Sequence, residues 1–338
     1  MIKKVRTGVL GVGRIGRLHA ENIIFNLNNI AEIVSVSDTN YDSAKEWAKS
    51  NSIHEVYRDY RDVVNDPEID AILICTSTET HAQISIEAAR AGKHIFCEKP
   101  IDFDLNRINR VLEAVNEAGV KFQVGFNRRF DHNFSCLKKT VTEGKIGKPH
   151  IIKITSRDPA PPSIDYINTS GGMFLDMTIH DFDMARFLAE SEIKEVYVSA
   201  DVMIDPAIGH AGDVDTAVTV LKFENGVIGV IDNSRKASYG YDQRVEVFGS
   251  KGCAIADNDT TNKVTLSINE GVISDKPKYF FLERYKDSFI TELGEFFNCI
   301  INDKKPSVTG IDGLKSVVVG LAAKESYRIG KPVTIINA

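Results

Sequence analysis

The chain has little that would tie it to a membrane, a nucleic acid or an oxidising compartment. Its five cysteines, Cys75, Cys97, Cys136, Cys253 and Cys299, are odd in number and never fall at CxxC spacing. That argues against a disulfide framework and a zinc site, and points to a reducing cytoplasm. Lysines and arginines run no longer than a pair and the formal net charge is −6, whereas a nucleic-acid partner needs a basic face. No apolar run approaches membrane-spanning length. The N-terminus enters a strand pattern almost at once, so no signal peptide is expected. There is no internal repeat and no low-complexity tract. What remains is ordinary globular composition, 43% hydrophobic and 26% charged, in 338 residues. That length suffices for two domains and a sizeable core.

The most informative stretch is Gly11-Val12-Gly13-Arg14-Ile15-Gly16. It follows the apolar run Thr7–Leu10 and opens a segment, Arg17 to Asn26, that can be helical. In such a unit the first glycine makes the tight turn, the second lets the backbone approach a pyrophosphate, and the third lets helix and strand pack closely. A lone GxGxxG is weak, since glycines also punctuate ordinary turns. Here a second apolar strand, Ala31 to Ser37, ends on Asp38, 22 residues past Gly16. A carboxylate there accepts hydrogen bonds from the adenosine ribose and repels the extra phosphate of NADP. Thr39-Asn40 bring no arginine to hold that phosphate. The expected cofactor is NAD.

Up to about residue 125 strand and helix patterns alternate. Strands are expected at Thr7–Leu10, Ile33–Ser37, Ala71–Cys75, His94–Cys97 and Lys121–Val124, with helices around His19–Asn26, Asp42–Lys49, Thr80–Ala91 and Leu105–Glu117. Short continuous apolar strands belong to parallel sheets buried on both faces. The alternation predicts an α/β Rossmann domain, a doubly wound parallel sheet, over residues 1–125. From residue 126 to 338 the pattern turns β-rich, with runs at His150–Ser156, Lys194–Ala200, Thr216–Phe223, Val227–Asp232 and Arg244–Phe248. Asn225-Gly226 reads as a hairpin turn, and Pro159–Pro162 as a rigid loop. This half is expected to be an α+β domain, a helix-flanked, largely antiparallel sheet whose exposed face would be a natural dimer or tetramer surface.

Ligands of doubly wound sheets bind outside the carboxyl ends of the strands. Thr76-Ser77-Thr78 and Glu98-Lys99-Pro100 follow two such strands, so both are expected to flank the cofactor, with His81 close by. Thr76–Thr78 also suit an N-cap run. Lys99, with its direction set by Pro100, can point a cation into the cleft. Cys97, just before Glu98, has no histidine evidently placed to activate it, and reads as a buried strand thiol.

The second constellation runs from Gly171 to Asp183. On a regular helix Asp176, His180 and Asp183 fall within about 60° of arc. Two acids flanking an imidazole can tune and orient it as a general base. The same residues would also suit a solvated face with an acidic first turn; the dinucleotide motif, whose domain needs a base from its partner, favours the former. With no cysteine or second histidine nearby in sequence, no metal is expected.

Together, Gly11–Gly16, Glu98-Lys99-Pro100 and Asp176 with His180 resemble the glucose–fructose oxidoreductase/inositol dehydrogenase/rhizopine catabolism (Gfo/Idh/MocA) family. Gly125–Asp131, Ser156–Pro159, Gly171–Leu188 and Tyr239–Asp242 are similar to the bacterial inositol 2-dehydrogenase branch. The resemblance spans almost the whole chain. It implies a Rossmann domain followed by an open-faced sheet domain, assembled as a homotetramer. It implies NAD-dependent oxidation of a cyclic polyol, myo-inositol first and scyllo-inositol or another cyclic sugar as the competitor, with Lys99, Asp176 and His180 catalytic. It further implies polyol contacts from Asn127, Arg128, Asp158, Asp183, Tyr239 and Tyr241. A repressor of sugar metabolism uses the same fold, so a non-catalytic dinucleotide sensor is the alternative; such a protein has no chemical need for the trio.

Overall fold

The computed structural model describes residues 4–335, which divide into two compact units. The first holds residues 4–127 together with Asp287–Leu314; the second holds Arg128–Lys286 and residues 315–335. A single cut at residue 125 does not describe this division. The helix Lys286–Ile301 buries Leu293, Phe296 and Phe297 in one cluster with Val9, Ala20, Ile23 and Phe96. Its apolar face is completed by β1 and α1, far away in sequence, and for that reason the segment joins the first unit.

In the first unit β1 (Val5–Leu10), β2 (Ala31–Ser37), β3 (Glu55–Tyr57), β4 (Ala71–Ile74), β5 (His94–Cys97) and β6 (Phe122–Val124) form one parallel sheet. Their order is β3-β2-β1-β4-β5-β6. This is the doubly wound order, whose direction of winding reverses between β1 and β4 and opens a ligand crevice there. The connecting helices are α1 (Arg14–Asn26), α2 (Tyr41–Ser50), α3 (Tyr60–Val64), α4 (Thr78–Arg90) and α5 (Leu105–Ala118). All four residues of β4 are buried, as a strand covered on both faces requires. The three-residue β3 is an addition to the expected strands.

The second unit opens with α6 (His132–Thr142), β7 (Pro149–Arg157), α7 (Ile164–Ser170) and α8 (Ile179–Ala189). Strands β8 (Ile193–Asp201), β9 (Thr216–Phe223), β10 (Ile228–Ser234), β11 (Asp242–Gly249) and β12 (Gly252–Ala256) follow. A small hairpin of β13 (Thr265–Ile268) and β14 (Gly271–Ser274) precedes β15 (Val333–Thr334). The seven-stranded sheet runs β12-β11-β7-β10-β9-β8-β15. Among the described residues of this sheet only β7 and β10 pair in parallel; the other neighbours are antiparallel. Asn225-Gly226 turns β9 into β10, with Gly226 at φ 89°, a left-handed value that costs glycine little. Period-two alternation buries Ile152, Ile154, Leu221 and Ile231 on one face. The opposite face exposes Ile151, Tyr197, Val218, Ile228, Phe248 and Ile255.

Candidate active site

The glycine turn shows three different steric demands. Gly11 has φ 85°, and a Cβ there would lie 2.6 Å from the Cys75 carbonyl oxygen. At Gly16 a Cβ would come within 1.8 Å of the Gly11 carbonyl oxygen, so only glycine lets α1 meet the turn. At Gly13 a Cβ would meet nothing within 4 Å. Gly13 is the N-cap of α1, yet no side chain caps the helix and no acid occupies its first turn, where Arg14 and Ile15 lie. The partial positive charge of that helix end suits an anion. This arrangement fits a dinucleotide pyrophosphate.

Asp38 is fixed by the backbone on both oxygens: Oδ2 accepts from the Val12 amide at 2.7 Å and Oδ1 from the Asn40 amide at 2.8 Å. It lines a pocket of about 300 Å³ with Gly13, Arg14, Arg17, Asn40 and Ser43. Arg17 forms one wall, donating to the Val12 carbonyl and to Ser43 Oγ, each at 2.9 Å. An acid and two arginines thus share the pocket expected to take the ribose.

Beyond β4, Thr76 Oγ1 pairs with Thr80 Oγ1 at 2.7 Å. Ser77 stands at the N-cap of α4 without a capping side-chain bond, and Thr78 begins the helix. His81, expected beside the cofactor, is 2% exposed. Its Nδ1 lies 2.8 Å from the Pro100 carbonyl and its Nε2 3.0 Å from the Thr76 carbonyl. Its ring spans the loops that follow β4 and β5, and burial lowers its pKa against those two bonds. Glu98 Oε1 lies 2.8 Å from Nε2 of His19, a residue of α1 fully buried between Phe96 and Phe289. Glu98 Oε2 accepts the Lys99 amide at 3.3 Å. Lys99 itself is half-buried at the strand end, before a cis peptide to Pro100. Asn127 is buried and donates to Ser288 Oγ at 3.2 Å. Cys97 is a buried strand thiol whose pKa burial raises.

In the second unit the helix expected over residues 176–183 is interrupted. Met173–Met177 form a π-helical turn, closed by the Thr178 amide on the Met173 carbonyl at 2.8 Å. An i→i+5 turn holds an extra residue, so the 100° spacing does not carry from Asp176 to His180. Gly172, with φ 78°, enters this turn; a Cβ there would lie 2.7 Å from Asp213 Oδ1, and Asp213 accepts the Met173 amide at 3.0 Å. Thr178 Oγ1 donates to Asn233 Oδ1 at 2.9 Å, tying the start of α8 to β10. His180 is half-buried in the first turn of α8.

Asp181 and Asp183 are buried on α8 rather than solvated. Arg128 donates to Asp181 Oδ1 at 2.5 Å, and Arg129 grips Asp183 through Nε at 2.8 Å and Nη2 at 2.5 Å. Arg128 and Asp183, expected to touch a polyol, are thus engaged in internal ion pairs. Tyr241 is buried, its hydroxyl accepting from Arg128 Nη2 at 3.5 Å. Tyr239 donates to Asp242 Oδ2 at 2.5 Å and accepts from Arg157 at 3.1 Å.

Asp176 Oδ1 accepts the Tyr166 hydroxyl at 2.9 Å, and its Oδ2 lies 3.4 Å from both Nη atoms of Arg235. The same Arg235 Nη1 reaches Asp158 Oδ2 at 3.2 Å. The sequence reading missed His19, Tyr166, Asp213 and Arg235. His19 was within reach, three residues past Gly16 and so on the same face of α1. Asp213 and Arg235 meet residues 40 or more positions away in sequence, and Tyr166 reaches Asp176 across the turn that follows α7.

A family model described as "Oxidoreductase family, NAD-binding Rossmann fold" matches residues 5–126, and one described as "GFO/IDH/MocA C-terminal domain" matches 134–255. The chain is 51% identical over 335 residues to an uncharacterized oxidoreductase of Bacillus subtilis, YrbE, covering 99% of this chain and 98% of that one. It is 49% identical to a Thermotoga maritima protein named myo-inositol 2-dehydrogenase, covering 98% of both. A crystal structure of a probable dehydrogenase from Thermotoga maritima superposes with a TM-score of 0.95 at 48% identity, covering 98% of each chain. The chain belongs to the GFO/IDH/MocA oxidoreductase family, and its first unit carries that family's NAD-binding Rossmann fold.

Proposed function

We propose that the protein oxidises myo-inositol to 2-keto-myo-inositol (scyllo-inosose) with NAD. The observation that carries this reading is the full-length likeness to the relative named myo-inositol 2-dehydrogenase. Oxidising a secondary alcohol removes a hydride from carbon and a proton from oxygen. NAD, when bound, supplies the hydride acceptor. His180 takes the hydroxyl proton as general base, leaving a ketone and an imidazolium that returns its proton to water. Asp176, held by Tyr166 and Arg235, orients and charges the site for that imidazole. Lys99 holds the reacting oxygen and stabilises the negative charge that grows on it. On the cofactor side Gly11, Gly13, Gly16 and Asp38 bind, with Thr76, Ser77 and Thr78 at the next strand end. Asp158, next to Asp176 on the shared guanidinium, is a polyol contact, while Arg128 and Asp183 brace the helix behind it.

The test is NAD reduction followed across myo-inositol, scyllo-inositol, chiro-inositol and glucose. The highest kcat/KM is expected on myo-inositol. Preference for scyllo-inositol would correct the isomer, and a flat response to all four would favour a sensor.

We also propose a homotetramer in a reducing cytoplasm. The apolar residues on the open face of the second sheet support the assembly, since exposed patches of that kind mark interaction surfaces. The five free cysteines suit that compartment. Light scattering of the wild type and of Val218→Lys tests the assembly; a tetramer unaffected by the added charge would remove this face from it.

A further inference from the structure

Arg235 is 2% exposed, and its position follows from strand register. Strands β7 and β10 are parallel neighbours with Arg157 opposite Ser234. The next residue of each, Asp158 and Arg235, therefore leaves the sheet at the same end, side by side. From there Nη1 reaches Asp158 Oδ2 at 3.2 Å and Asp176 Oδ2 at 3.4 Å, while Nη2 reaches Asp176 Oδ2 at 3.4 Å.

We propose that Arg235 is a positioning residue for the oxidation, a single guanidinium that holds Asp158 and Asp176 together as anions and keeps Asp176 in place for His180. The proposal rests on the reading of Asp176 and His180 given above. The groups around the clamp come from several elements: Asp158 after β7, Tyr166 on α7, Asp176 on the π turn, Asp213 before β9, and Arg128 before α6. Burial raises the Asp158 pKa and the neighbouring Asp176 charge adds to this, while Arg235 opposes both. Two carboxylates so close to one nitrogen cannot both stay charged in a site of low polarity without a cation between them. A lysine offers a point charge, whereas the planar fork of arginine serves two carboxylates at once.

The test compares wild type with R235M and R235K, and with R235Q should methionine not be tolerated. Two readouts are taken: the pH profile of kcat/KM on inositol, and carboxyl-carbon NMR titration of protein labelled with carbon-13 aspartate, assigned through D158N and D176N. With R235M the acid limb is expected to move up by about 1–3 pH units. The Asp158 or Asp176 carboxyl should titrate higher by the same amount. R235K should recover part of the shift, and added guanidinium should rescue R235M. An equal loss of activity at every pH, with both carboxyl titrations unmoved, would overturn the proposal. If the wild type oxidises no inositol, the substrate reading fails, and the carboxyl titrations alone then decide the role of Arg235.

Discussion

The amide of Val12, inside the glycine turn, donates at 2.7 Å to the carboxylate of Asp38 at the end of β2. One acid thus braces the turn, and its proposed second role is to bind the adenosine ribose of NAD. Asp38 to Ser is expected to raise the Kd for NAD by about 10-fold or more, as loss of a charged hydrogen bond does. Arg14 and Arg17 line the same pocket, so the variant should gain affinity for NADP. Titration with both dinucleotides checks this, and an unchanged preference would reject the role given to Asp38.

The glycines separate folding from binding. Gly16→Ala would force a Cβ to 1.8 Å from the Gly11 carbonyl, and is expected to cost about 1–3 kcal/mol or more of stability. Gly13→Ala adds a methyl to open space at φ −75°, and should keep its melting temperature while losing NAD affinity. Thermal melts alongside NAD titrations decide this. A Gly13→Ala protein that binds NAD as the wild type does would show that the pyrophosphate lies elsewhere.

Asp215 gives a stability prediction with a definite sign. Burial alone would raise its pKa. Its carboxylate, however, accepts the amides of Met203 at 2.8 Å, Ile204 at 2.8 Å and Asp205 at 3.1 Å, and the Thr216 hydroxyl at 3.0 Å. The net result is a pKa below the usual carboxylate range. A depressed folded pKa contributes stability above the unfolded value of about 3.9, lost as pH falls through the folded one. Asp215→Asn should therefore cost about 1–3 kcal/mol at neutral pH. Urea unfolding of both proteins should show that gap closing as pH drops below about 4; a gap independent of pH would contradict the argument.

Much of the first unit was legible because its signals are local. Gly11–Gly16, the apolar strands and Asp38 lie within 34 residues, and β5 starts and ends where its pattern does. The three-residue β3 was too short to show a period. Asp287–Leu314 was misassigned because its apolar face says that it packs, not against what. The π turn at Met173–Met177 defeated a projection that assumes 3.6 residues per turn. Arg235 was invisible because its place beside Asp158 comes from the parallel pairing of β7 with β10, strands about 70 residues apart. His81 and Glu98 are expected beside the cofactor, and the sequence gives no sign of the backbone carbonyls and helix histidine that hold them.

The measurement closest to the central claim is single-turnover NAD reduction by myo-inositol in the wild type, Lys99→Ala and His180→Ala, with the Kd for NAD determined on each. Loss of a general base slows turnover by about 10²–10⁴-fold, so His180→Ala should fall in that range and Lys99→Ala should also slow markedly, with NAD still bound by both. Full turnover in both variants, on a substrate the wild type oxidises well, would contradict the account.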